Sequence, residues 1–101
     1  MNIKDRFHKS VNMTPAQIRA WSRDPRAKEA SFAATRARLP ALAALKAKKS
    51  KWNDKDIRFA KRVLSFNARM QGVVNQHGCT RKAVIALRNW GRQPPKCGIP
   101  K

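Results

Sequence analysis

A chain of 101 residues carries 24 lysines and arginines against five acids, for a formal charge of +19 and a sequence pI near 11.7. That length allows one compact domain, and the 42% of hydrophobic residues supports a modest core, which excludes a wholly disordered basic tail. So large a charge repels itself in a compact state and exceeds the roughly 2–8 charges that solubility asks of a small domain, so a counter-charged partner is expected, and a polyanion fits best.

No run of about 18 apolar residues is present and the N-terminus lacks an apolar stretch, so neither a membrane span nor a secretory signal is expected. The expected location is the cytoplasm. Cys79 and Cys97 are too few for a disulfide-rich scaffold, and both are expected to be free thiols.

In chain order, residues 1–13 show charges without period and read as a flexible N-terminal arm. Thr14-Pro15-Ala16-Gln17 is a helix start: threonine caps, proline suits the first helical position, and Gln17 stands where a capping box returns its hydrogen bond. That helix should stop before Asp24-Pro25, because proline disfavours helix in its predecessor. Asp24 then caps a second, alanine-rich helix expected from Pro25 to about Arg38. Pro40 resets the chain into the short apolar stretch Ala41–Leu45, followed by a Lys-rich linker at 46–51.

Asn53 or Asp54 caps the third long segment, with Asp56 in a first turn where the helix dipole favours an acid. At about 100° per residue this segment separates into two faces. One holds Ile57, Phe59, Ala60, Val63, Leu64, Phe66 and Met70, and the other Lys55, Arg58, Arg62, Ser65 and Arg69. Gly72 is the expected stop. Thr80 caps a last helix, Arg81 to about Trp90, ended by Gly91 and by the proline-containing tail 92–101. No stretch alternates over a strand's length, so the expected class is all-α, with four or five short helices in one small domain (14–91) and loose N- and C-terminal tails.

The chemistry on offer is electrostatic. Lys55, Arg58, Arg62 and Arg69 share one helical face and match a row of phosphates. Arg81, Lys82 and Arg88, with Arg92 just beyond, make the last helix a second candidate, and its N-terminus combines unpaired N–H groups with two cations. Lys46, Lys48, Lys49 and Lys51 would serve as a flexible clamp. The connection Gly72–Cys79 is longer than the three-to-four-residue turn of a helix-turn-helix, which weakens that motif. Trp21, Trp52 and Trp90 could stack on bases, but core positions suit Trp21 and Trp90 better. His8, His77, Cys79 and Cys97 lack the paired spacing of structural zinc, and no acid pair, Gly-rich phosphate loop or nucleophile–His motif points to catalysis. No catalytic residue, metal or cofactor is expected.

The stretches Thr14-Pro15-Ala16-Gln17, Ala20-Trp21, Asp24-Pro25-Arg26, Val63–Met70, Thr80–Ala83 and Ala86–Gly91 together resemble small basic proteins of unassigned function from bacteriophages and some bacteria. The resemblance implies a phage or mobile-element setting and transfers no binding residue. The function expected is therefore sequence-tolerant binding of nucleic acid, double-stranded DNA ahead of RNA, in association with a nucleoid or a virion. Docking on an acidic host protein is the alternative of a different class. A membrane-active role ranks last, because Pro15, Pro25 and Pro40 break the faces such a peptide needs.

Overall fold

The computed structural model describes residues 2–30 and 37–101. Within them the chain forms α1 (Ile3–Ser10), α2 (Pro15–Ser22), a 3-10 helix (Pro25–Ala30), α3 (Leu39–Ala47), α4 (Asp54–His77) and α5 (Arg81–Arg88). Six helices and no strand among the described residues confirm the all-α class and correct the expected four or five. The miscount arises at the start of the chain. The Asn2 side chain accepts the Asp5 N–H at 2.9 Å, Asp5 lies in the first turn and His8 and Lys9 in the last, so α1 has the cap and dipole pairing of an ordinary helix.

Local chemistry explains the other boundaries. At α2, Thr14 Oγ1 accepts the Gln17 N–H at 3.2 Å and Gln17 Oε1 accepts the Thr14 N–H at 2.9 Å. The same reciprocal pair joins Asn53 and Asp56 at the start of α4. Of the expected second helix, Pro25–Ala30 is 3-10 in form and Ala37 and Arg38 lie in a turn ahead of α3; residues 31–36 lie outside the described residues. Pro40 sits in the first turn of α3, where its missing N–H leaves no intrahelical bond unmade.

Helix α4 does not stop at Gly72. It runs 24 residues to a cap at Gly78, whose φ of +87° few other residues adopt. Tertiary packing outweighs the cost of an interior glycine, about 1 kcal/mol: beyond it, Val74 is buried with Ala83 and Leu87 of α5 in a small cluster that Met70 and Cys97 flank.

The larger core joins α1, α2, the 3-10 helix, α3, the first half of α4 and Ile85 of α5, with Phe7, Ile18, Leu39, Leu42, Val63 and Ile85 among its most buried side chains. Gly91 packs directly on it, with φ +81°; a Cβ there would lie 2.7 Å from Val11 Cγ1 and 2.9 Å from Leu42 Cδ2. Asn89, 2% exposed, accepts the Trp21 indole N–H at 2.8 Å and donates to the Ala27 carbonyl at 3.0 Å, tying α2, the 3-10 helix and the end of α5 together. Asn89→Ala should destabilise the fold by about 2–3 kcal/mol, because a buried indole N–H then loses its acceptor. Urea unfolding measures this, and a loss below about 0.5 kcal/mol, the range of neutral surface changes, would show the link to be idle.

The C-terminal segment, expected loose, is fastened. Gln93 exchanges two hydrogen bonds with Asn12, both 2.8 Å. Pro94 is fully buried, and Arg26 Nη1 donates to the Pro100 carbonyl. Cys79 and Cys97 form a disulfide, with Cα atoms 5.6 Å apart, correcting the expectation of free thiols. Spacing along the chain could not reveal this pair, because the tail's return across α5 brings Cys97 to Cys79.

Candidate functional site

Helix α4 sorts its side chains by the physics of a half-buried helix. Ala60, Val63, Asn67 and Val74 face the core, whereas Lys55, Arg58, Lys61, Arg62 and Arg69 stand exposed on the opposite face. From Lys55 to Arg69 that row spans about 21 Å at the helical rise of 1.5 Å per residue. Among the described residues none of these five cations has an acidic partner.

Three of the five acids are engaged with other cations, and Asp54 stands exposed in the first turn of α4. Asp24 pairs with Arg26 at 2.6 Å, Asp56 with Lys48 at 2.7 Å and Glu29 with Arg81 at 2.7 Å. Hydrogen bonds from the Arg26 side chain and backbone N–H hold the Asp24 carboxyl down at about 2. The bond from Arg81 lowers Glu29, and bonds from Lys48 and the Asn53 N–H lower Asp56. Each of the three carboxyls is thereby held in its ionised form beside the cation it pairs with.

Those pairings redistribute the basic residues expected to act together. Lys46 is half-buried and donates to the His8 carbonyl at 2.9 Å, with burial lowering its pKa; Lys48 belongs to Asp56. The expected clamp is thus half structural, and only Lys49 and Lys51 of it are exposed. Arg81 is held in a fork by Glu29 and also donates to the Lys101 carbonyl at 2.6 Å. Arg88 is 9% exposed, lies 4.4 Å over the Trp21 ring and donates to Gln93 Oε1 at 2.6 Å. Burial, with the Arg26 charge nearby, lowers its pKa. Arg92 is partly buried, donates to Gln71 Oε1 at 2.9 Å and to the Ser10 carbonyl at 3.0 Å, and burial lowers its pKa too. Lys82 alone of the α5 set stands exposed without such a contact.

Only Gly78, Cys79 and Thr80 separate α4 from α5, a shorter connection than Gly72–Cys79 and within the length of a helix-turn-helix turn. Even so, α5 is poorly suited as a recognition helix: Ala83, Val84, Ile85, Leu87 and Arg88 are all buried. Its N-terminus is an ordinary capped end, with Thr80 Oγ1 accepting the Ala83 N–H at 3.3 Å.

Three cations were missed by the sequence reading. Lys61 falls on the exposed face at helical spacing and was legible there. Arg6 and Lys9 belong to α1, and they line a groove of about 290 Å³ against Leu64, Ala68 and Gln71 of α4. No sequence signal places them, since that requires knowing that α1 packs on α4. Trp21, Trp52 and Trp90 are all buried, although Trp90 still lines a surface hollow with Lys61, Arg62, Ser65, Phe66 and Arg69.

Among the described residues no group of His, Cys, Asp and Glu could hold a metal ion, and both thiols are spent in the disulfide. No helix among them is long and apolar enough to cross a membrane. Comparison with known protein families, with curated proteins and with solved structures finds no match.

Proposed function

We propose that the exposed face of α4 binds the phosphate backbone of nucleic acid, DNA ahead of RNA, without reading sequence and without catalysis, in the cytoplasm. The observation that carries this reading is the row Lys55, Arg58, Lys61, Arg62 and Arg69, left without acidic partners while three of the five acids pair with other cations. A repulsive row of this kind gains most from a linear polyanion, where each cation displaces a condensed counterion. Lys49 and Lys51, just ahead of α4, extend the positive field beyond its N-terminus. Phosphate contacts fix position and carry no sequence information.

The closure of the tail does not rest on the Cys79–Cys97 bond alone, because the Asn12–Gln93 exchange and buried Pro94 also hold it.

Salt titration tests the reading. Five contacts give an expected slope of log affinity against log salt of about −4.5 on duplex DNA, a loss of roughly five-hundredfold between 50 and 200 mM. Sequence-scrambled duplexes should lie on the same line. A slope near zero would remove the proposal.

A further inference from the structure

On one flank of the α4 face lies a hollow of about 380 Å³, lined by Lys61, Arg62, Ser65, Phe66, Arg69 and Trp90. Its floor is aromatic. The Phe66 and Trp90 rings are stacked, centroids 4.8 Å apart and planes inclined by 27°. Phe66 remains only partly buried, and the Arg69 guanidinium lies 6.0 Å from its ring centroid, a loose cation–π distance. Three cations and a hydroxyl rim the hollow, and no acid lines it.

Phosphate contacts alone need no such floor. A cationic track beside an aromatic side chain left partly open to solvent, as Phe66 is, is the combination that binds unpaired nucleic acid, because every base presents a π-face to stack while its flanking phosphates meet the cations. The volume falls in the range of small-ligand sites, about 300–1,000 Å³. In a fully paired duplex the bases are already stacked on each other and cannot reach it.

Building on the backbone-binding role, we infer that the Phe66–Trp90 hollow receives an unpaired base, with Lys61, Arg62 and Arg69 on the adjoining phosphates. The ligand class then shifts from uniform duplex to strands carrying unpaired bases.

The experiment is a fluorescence anisotropy titration of three labelled DNAs of equal length: a thymidine strand, an abasic strand with the same phosphates, and a duplex. The wild-type chain should bind the thymidine strand about tenfold or more above the abasic one, the effect of one stacked base. Phe66→Ala should bring that ratio close to one and leave the salt slope unchanged. Phe66→Leu, which keeps an apolar group over Trp90, should do the same without risk to the fold, as a melting curve checks. Equal affinity of the wild type for thymidine and abasic strands, with salt dependence intact, would overturn the hollow and leave the backbone role standing. So would a preference that Phe66→Leu leaves untouched. Loss of salt-dependent binding to all three DNAs would remove both.

Discussion

Combining Arg58→Ala, Arg62→Ala and Arg69→Ala should lower affinity for DNA by two to three decades at 0.1 M salt and flatten the salt slope by almost three units. Each phosphate contact adds about 0.9 to the slope, so below 1 M salt three contacts together account for about 2.7 decades per decade of dilution. All sequences should weaken alike, since a phosphate contact does not discriminate among bases. The fold should survive, because all three side chains are exposed. Surface changes of this kind usually fall within about 0.5 kcal/mol.

The same substitutions on the other basic residues should behave differently, which makes the contrast diagnostic. Removing Arg88 vacates a buried stack on Trp21, and removing Arg92 breaks bonds to Gln71 and Ser10. Those variants should lose stability before they lose a phosphate contact. A folded triple variant of α4 that keeps wild-type affinity and slope would move the interface away from this helix.

The α4 face could be read from sequence because a long amphipathic helix encodes its own orientation: the 3.6 period fixes which side each residue takes, whatever it packs against. The caps at Thr14, Asn53 and Thr80 were legible for the same reason, being interactions between residues three apart. What the sequence concealed depends on contacts distant along the chain. Asn67, read as neither core nor surface, is 1% exposed because its amide reaches Ser10 Oγ at 3.0 Å. Leu64, placed on the apolar face, is only partly buried and lines the groove beneath α1. Arg81 looked like a free cation until the 3-10 helix brought Glu29 to it. Charge composition thus overstated the free positive surface, since distant acids and carbonyls claim several of its members.

The N-terminal helix is where sequence pattern and structure part most sharply, and Phe7→Ala decides between them. Phe7 is fully buried, edge-on to Trp52 with ring centroids 5.3 Å apart, in the contact of α1 with α4. Truncating a buried phenylalanine costs about 3–5 kcal/mol through lost transfer energy and the cavity left behind. Against a total stability of about 5–15 kcal/mol, about a fifth or more of the total goes with one ring. Release of α1 would also free the Ser10 carbonyl from Arg92 and the His8 carbonyl from Lys46. Urea unfolding should therefore show the full loss, with faster hydrogen exchange concentrated in residues 3–10 of the folded variant. The salt slope for DNA should change little at temperatures where the variant remains folded, because α4 keeps its own exposed face. A loss under about 1 kcal/mol, well below the range for a filled core site, would mean that residues 1–13 behave as the loose arm their uncapped charge pattern suggested, and that Phe7 anchors nothing.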